Sequence, residues 1–178
     1  NHTSDYDTVI FADKPWDYDS NSYTGSDITN TTVNIVSAGN GDGVIVSAME
    51  VSNDTVDYTF TGAGISTSAI FEGHLLTNAP TSYTLDNAPQ SLTKSGTGIL
   101  TFSNGANVFN GLFLMNGGTA NLSNTANTFD GIIYGGNSGD SRVINFSTAA
   151  QLGSSSITFN QSGTLHALDT VELANQIA

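Results

Sequence analysis

The sequence contains no cysteine, and Lys14, Lys94 and Arg142 are the only lysine or arginine residues among its 178 residues. Without cysteine the chain can form neither a disulfide framework nor a thiolate metal site. Three cations against 16 carboxylates, for a formal net charge of −13, cannot build a basic surface. We therefore expect neither nucleic-acid binding nor insertion into a membrane. No stretch approaches the roughly 20 apolar residues of a membrane-spanning helix, which excludes that class of protein.

Helical periodicity is also missing, because apolar residues nowhere recur at helical spacing over three turns. They occur instead in short bursts, such as residues 8–11 and 99–102, bounded by Gly, Asn, Ser or Asp. Short β-branched runs between turn residues are typical of strands. Gly, Thr, Ser and Asn supply 82 of the 178 residues, and only 11% of the residues are charged. We therefore predict an all-β chain with a surface of amides and hydroxyls.

An internal repeat becomes visible when residues 100–114 are aligned with residues 120–134, at an offset of 20. Six of the fifteen positions are identical, and they include Phe109 with Phe129 and Gly111 with Gly131. A period near 20 residues that holds two or three short strands has the length of one solenoid turn. In such a coil, inward residues stack on like residues. We therefore expect Phe109 to stack on Phe129, and Leu112 to stack on Ile132.

An antiparallel β-sandwich is the alternative architecture, because its turn signals also recur at short intervals. A sandwich gives no reason for a match at 20 residues, so the parallel β-helix is favoured. Its composition also fits, since Gly and Asn tolerate the corners and Thr, Ser and Asn suit the outward positions of pleated strands.

The first third of the chain differs from the repeat. Ten of the 16 carboxylates and the only tryptophan lie before residue 61. We predict that residues 1–30 form an N-terminal cap or lead-in segment, because the end of a solenoid exposes unpaired strand edges. Phe11 and Trp16 are expected to cover the first turn. Residues 31–178 are predicted to form the β-helix turns, with the clearest repeat at residues 92–134.

Three segments of the repeat carry a family resemblance: LTKSGTGILTFS at residues 92–103, ANVFNG at residues 106–111, and NGGT at residues 116–119. This pattern resembles the passenger-associated transport repeat of bacterial autotransporters, also called the autotransporter-associated β-strand repeat. Phe109 stands where the family pattern has tyrosine, and Ala120 stands where it has leucine. The resemblance implies a right-handed parallel β-helix in which Lys94 is structural.

The same resemblance implies a function. The chain would be a fragment of a passenger domain, displayed on the bacterial cell surface or secreted after export through the outer membrane. Such a virulence-associated passenger acts as an adhesin or as the stalk of one, and it binds through the side of the β-helix without catalysis. The implied partners are a glycan or a protein of a host or bacterial surface, or a second passenger through self-association.

A polysaccharide-degrading β-helix enzyme, either a lyase or a hydrolase, is the alternative function. A lyase needs a base beside acidic calcium ligands, and the three cations are scattered along the chain. A hydrolase needs two carboxyls about 5–10 Å apart, yet Asp130 occupies the turn position that Asn110 fills 20 residues earlier. His2, His74 and His166 lie in no catalytic motif. We therefore predict a chain that is not an enzyme and has no catalytic residue.

Calcium is the metal candidate, and no other cofactor is expected. Asp17, Asp19 and Asn21 place oxygen ligands at alternate positions, as at the start of an EF-hand loop. Ser22 stands where that loop needs glycine, and Ile28 cannot supply the bidentate ligand of the twelfth position. Residues 39–43, GNGDG, resemble one copy of a calcium-binding nonapeptide. At both places we favour a solvated acidic surface over a metal site.

Overall fold

The computed structural model describes residues 8–36, 44–46, 48–67 and 90–178. Within them the chain coils through three sheets, and each circuit of the coil is here called a rung. Rungs 1 to 4 pass the three sheets in the same order, whereas rungs 5 and 6 contribute strands to the first two sheets only. Rung 1 contains β1 (Thr8–Ala12), β2 (Trp16–Asp17), β3 (Ser22–Tyr23), β4 (Thr32–Ile35) and β5 (Val44–Val46). Rung 2 contains β6 (Ala48–Ser52), β7 (Tyr58–Gly62) and β8 (Ile65–Thr67).

The later rungs repeat this arrangement with shorter connections. Rung 3 contains β9 (Gln90–Ser95), β10 (Ile99–Phe102) and β11 (Asn107–Val108). Rung 4 contains β12 (Leu112–Met115), β13 (Gly118–Leu122) and β14 (Asn127–Thr128). Rung 5 contains β15 (Gly131–Tyr134), β16 (Arg142–Phe146) and the one-turn helix α1 (Ala149–Leu152), and rung 6 contains β17 (Ser156–Phe159) and β18 (Thr164–Ala167).

Stacking of the rungs produces three parallel sheets. Sheet I has the order β1-β6-β9-β12-β15-β17, sheet II has the order β4-β7-β10-β13-β16-β18, and sheet III has the order β5-β8-β11-β14. The pairs of neighbouring strands in these sheets are parallel, and β2 pairs with β3 as an antiparallel hairpin that projects from rung 1. The all-β fold class and the parallel β-helix predicted from the repeat are confirmed.

Alternation along each strand decides which side chains fill the coil. In β10 and β13, Leu100, Phe102, Ala120 and Leu122 point inward and are buried, while Thr101 and Asn121 between them face outward. Successive residues of a strand point to opposite faces, so a four-residue strand supplies two core residues per rung. The resulting core is continuous along the coil, because buried residues of each rung contact those of the next.

The repeat predicted one stack of core residues and misplaced another. Phe109 lies over Phe129, as expected, with ring centroids 5.3 Å apart. Leu112, however, pairs with Gly131, and Phe113 pairs with Ile132. The expected stack of Leu112 on Ile132 is therefore wrong by one residue. The offset falls from 20 to 19 within the loop before β12, and this shift brings the larger Phe113 ring into the fully buried position.

The N-terminal segment takes part in the coil. Strand β1 pairs with β6 at the end of sheet I, and Phe11 packs edge-on against Tyr58 and Phe60. Phe11 is thus partly buried against the core, in agreement with the expectation that it covers the first turn. Trp16 does not cover the first turn as expected, because its side chain lies on the projecting hairpin and is 41% exposed. The boundary at residue 30 stays a prediction, although β1 fits the lead-in strand proposed for this segment.

Within the described ranges, α1 is the only helix, and its four residues are too few to span a bilayer. His2, His74 and residues 39–43, which the sequence analysis considered, lie outside these ranges.

Candidate functional site

The asparagines that recur in the repeat form a buried ladder at the corner between sheets II and III. Asn107 Nδ2 donates to Asn127 Oδ1 at 3.0 Å, one rung further along the coil. Asn127 Nδ2 in turn donates to the carbonyl oxygen of Gln151 at 2.7 Å. Asn104 and Asn124 brace these residues through paired amide hydrogen bonds, and all five side chains are buried. These asparagines hold successive rungs together and are closed to a ligand.

The Lys94 side chain is buried in the core on the inner face of sheet I. It pairs with Val51 on one side and Met115 on the other, at a position where the other rungs carry apolar side chains. Its Nζ donates to the carbonyl oxygens of Ser95 at 2.6 Å and Gly96 at 3.1 Å. Burial lowers the pKa of Lys94 to about 8, although three nearby aspartates oppose this shift. The structural role that the family resemblance implies for Lys94 agrees with this placement.

Arg142 is the second buried cation, and it holds the long loop before β16. Its Nη1 donates to the carbonyl oxygens of Asp140 at 2.8 Å and Ser162 at 3.1 Å, and its Nη2 donates to that of Asn137. The Asp140 carboxylate lies 3.7 Å from Nη2. Both buried cations are therefore engaged with backbone carbonyls at corners of the coil.

The carboxylates considered for hydrolysis do not face each other across a cleft. Asp130 is an exposed loop residue whose backbone N–H donates to the carbonyl oxygen of Gly111 at 2.9 Å, and Asp140 lies beside Arg142. In the part of the chain that the structure describes, no three His, Asp or Glu side chains lie close enough to share a metal ion.

The calcium candidates Asp17, Asp19 and Asn21 shape the β2–β3 hairpin. Asp17 Oδ1 accepts a hydrogen bond from the backbone N–H of Asp19 at 3.0 Å, and Oδ2 accepts one from Ser20 Oγ at 2.7 Å. These bonds lower the pKa of Asp17. Asn21 adopts a positive φ of 50°, which asparagine tolerates in a tight turn. The alternating oxygens considered as calcium ligands thus shape the hairpin turn.

Acidic side chains tie rungs 1 to 3 together at the corner between sheets I and II. The Asp13 carboxylate accepts hydrogen bonds from the backbone N–H groups of Asp54, Thr55 and Val56 at 2.9–3.1 Å. Desolvation raises the pKa of Asp13, but these bonds outweigh it, so the pKa is lowered overall. One rung later, Asp54 Oδ1 accepts from the Thr97 N–H at 2.9 Å. The sequence analysis assigned no role to Asp13 or Asp54 and so missed this bracing of the corner.

The outer face of sheet II carries a straight row of polar side chains across six rungs. Strand pairing places them in one column, here called the polar ladder: Thr32, Thr59, Thr101, Asn121, Asn145 and His166. Asn121 Nδ2 donates to Thr101 Oγ1 at 3.2 Å, and Asn145 Nδ2 donates to Asn121 Oδ1 at 2.8 Å. His166 Nδ1 lies 2.9 Å from Asn145 Oδ1. Hydrogen bonds along the coil therefore hold the four side chains from Thr101 to His166 in an ordered row.

The polar ladder contains hydroxyl, amide and imidazole groups, and it includes no Asp, Glu, Lys or Arg. Its side chains are half-buried or exposed, so their remaining donors and acceptors face solvent. Such a row at the strand spacing of about 4.8 Å offers regularly placed hydrogen-bonding groups to a flat partner. No protein-family model, curated protein or solved structure matches this chain.

Proposed function

We propose that this chain is a fragment of an autotransporter passenger domain, exported to the bacterial cell surface, that acts as an adhesin or as the stalk displaying one. The observation that carries the binding role is the hydrogen-bonded row Thr101–Asn121–Asn145–His166 on the outer face of sheet II. The row crosses four rungs and offers an extended surface of hydroxyl, amide and imidazole groups. The partners that suit it are a neutral glycan, a protein surface or a second passenger.

The passenger assignment is supported by the residues that carry the resemblance. Lys94 of the LTKSGTG segment closes a corner of the coil, and Phe109 of the ANVFNG segment stacks inside it. These residues have roles that any further rung of the same pattern would reuse. A protein built from such rungs can be lengthened without changing its outer face, which suits a stalk or an extended adhesin.

The chemistry of the polar ladder sets the expected strength of binding. Each hydrogen bond exchanged with water contributes about 0.5–1.5 kcal/mol net, so one copy binds weakly and adhesion depends on many copies per cell. Because the ladder contains no acidic residue, lysine or arginine, its binding changes little with salt. The net charge of −13 disfavours acidic glycans through repulsion, which physiological salt screens beyond about 8 Å.

The binding role is tested with two lysine substitutions that change the charge equally on different faces. Asn121→Lys places a long cationic side chain in the polar ladder, whereas Thr128→Lys places it on the exposed outer face of sheet III. Wild-type protein and both variants are coupled at high density to beads. The beads are then probed with neutral glycans, extracellular-matrix proteins and soluble wild-type chain.

We expect weak, salt-insensitive capture of at least one of these partners by the wild type and by Thr128→Lys, and its loss in Asn121→Lys. Equal capture by both variants would remove sheet II as the binding face. Tight binding to an anionic polysaccharide that disappears in high salt would contradict the proposal. Release of reducing ends or unsaturated products from polysaccharides by the same samples would favour the enzyme.

A further inference from the structure

A pocket lies between the β2–β3 hairpin and the outer face of sheet I. The hairpin supplies Trp16 and Tyr23 as one wall, and Ile10 of β1 and Glu50 of β6 belong to the opposite side. Ala12, Asp13, Lys14, Ser52 and Asp54 complete the lining. The pocket is an open cleft with a volume of about 460 Å³, within the range of about 300–1,000 Å³ that small-molecule sites occupy.

The pocket presents aromatic surface that the fold does not cover. Trp16 and Tyr23 pack edge to face with centroids 4.9 Å apart, yet each remains 41% exposed. Ile10 is 47% exposed, and Tyr18 at the hairpin tip is 89% exposed. Exposed apolar groups gathered beside polar ones mark interaction sites. By contrast, Phe109, Phe113 and Phe129 stack inside the coil.

The polar groups around the pocket carry charges of both signs. Asp13 is committed to backbone N–H groups of rung 2. The Glu50 side chain makes no hydrogen bond or ion pair within the described residues. Asp54 is exposed at the rim, and its Oδ1 accepts from the Thr97 N–H. Lys14 lies in the same lining, with its ammonium 4.0 Å from Asp27. A ligand in this pocket therefore meets an aromatic wall, carboxylate acceptors and one ammonium donor.

We propose that this pocket binds a neutral sugar ring of a glycan chain. The apolar C–H face of the ring packs against Trp16, because aromatic faces carry negative charge density that attracts polarised C–H groups. Ring hydroxyls donate to Glu50 and Asp54 and accept from Lys14. An anionic sugar is disfavoured by repulsion, because the lining carries three carboxylates and one ammonium. The same charge would attract a basic peptide, which is therefore the competing ligand that the test includes.

This site deepens the adhesin proposal by naming a ligand class, but it lies on a different face from the polar ladder. The two sites can therefore fail separately. Binding that is lost in a Trp16 variant and retained in Asn121→Lys assigns the ligand to the pocket. The reverse pattern assigns it to sheet II.

Trp16 is the only tryptophan of the chain, so its fluorescence reports directly on the pocket. The folded chain is titrated with neutral hexasaccharides of glucose, mannose, galactose and xylose, each to about 10 mM, which covers dissociation constants in the millimolar range. Polygalacturonate and a hexalysine peptide serve as charged probes. We expect a saturable change in emission with at least one neutral hexasaccharide and none with polygalacturonate.

Two variants test which groups hold the sugar. Glu50→Gln preserves shape and fluorescence, and we expect about fivefold or greater weakening because a charged acceptor is lost. Trp16→Ala, followed by calorimetry, should reduce affinity at least tenfold. Glu172→Gln is the matched control, since Glu172 is an exposed carboxylate in the C-terminal segment, and it should bind as the wild type does.

No emission change with any neutral hexasaccharide would overturn the proposal. A response to hexalysine alone would reassign the pocket to basic peptides. Unchanged affinity in both Glu50→Gln and Trp16→Ala would place the sugar elsewhere. Circular dichroism of each variant shows whether the coil is intact, and the conservative Glu50→Gln variant keeps the test decisive should Trp16→Ala fail to fold.

Discussion

The phenyl rings of Phe109 and Phe129 lie parallel, with 1° between their planes and 5.3 Å between their centroids. Phe102 and Phe113 flank this pair, so the two rings belong to a continuous aromatic column inside rungs 3 and 4. Each of these rings is almost completely buried. The column joins the corner of sheet III to the start of sheet I.

Truncation of a ring in this column should lower the stability of the protein. We expect Phe109→Ala to lower the free energy of unfolding by about 3–5 kcal/mol, because it removes a buried ring and leaves a cavity. Val108→Ala, at the neighbouring outward position that is 39% exposed, should change it by less than about 1 kcal/mol. Urea denaturation followed by circular dichroism measures both. Similar losses in the two variants would mean that the stack is not part of the core.

The buried asparagine ladder should contribute more to stability than the exposed polar ladder does. Asn107→Ala deprives Asn104, Asn127 and the Ile65 N–H of partners, and we expect a loss of about 2–4 kcal/mol because buried polar groups are left unsatisfied. Asn121→Ala removes a similar amide on the outer face, where water replaces it, and should cost about 1 kcal/mol or less. The two midpoints of thermal or urea unfolding give the comparison. An equal loss would contradict the distinction between the ladders.

Lys94 should make stability rise with pH above neutrality. Its pKa of about 8 in the folded chain is below the ordinary lysine value of 10.5, so the unfolded chain binds more protons between these pH values. Stability therefore increases as the pH passes 8, because the cost of burying the charge disappears. Unfolding of the wild type and of Lys94→Met is compared from pH 7 to about 9.5, below the ordinary titration of tyrosine.

The expected result is a gain in wild-type stability relative to Lys94→Met over that range. The subtraction removes contributions of groups common to both proteins. A constant difference would show that the ammonium keeps an ordinary pKa and is better solvated than its position among Val51, Met115 and the corner carbonyls indicates.

Asp13 should stabilise the first rungs in a manner that acid abolishes. Its lowered pKa means that the bonds to the N–H groups of Asp54, Thr55 and Val56 favour the carboxylate. We expect Asp13→Asn to cost about 1–3 kcal/mol at pH 7. The stability difference between the wild type and Asp13→Asn is fully present above the pKa of Asp13 in the unfolded chain. It shrinks as the pH falls through the lower pKa of Asp13 in the folded chain. Urea unfolding at pH 7 and about pH 3 measures it, with Asp19→Asn on the exposed hairpin as control. A difference independent of pH would contradict the role of the charge.

Much of the coil could be predicted from local sequence. The 20-residue offset fixed the pairing of Asn107 with Asn127 and the stack of Phe109 on Phe129, because identical residues at a fixed period occupy equivalent places in successive rungs. The polar outer face followed from alternation, since outward positions between buried residues carried Thr and Asn. The repeat also marked the recurring asparagines, although their burial was not foreseen, because Asn is as common in exposed turns as in ladders.

Other features were decided only by the tertiary structure. The shift that pairs Phe113 with Ile132 arises because filling the core outweighs strict periodicity in a loop that can absorb one residue. Trp16 on the hairpin and Glu50 on β6 line the same pocket although they are 34 positions apart in the sequence. No local sequence pattern predicts that they lie close together. By itself, the sequence determined the solenoid, its inward and outward residues and the absence of thiol chemistry. The tertiary structure decided which polar groups are buried, which acids brace the corners, and where a pocket opens, because these depend on contacts between rungs far apart in the chain.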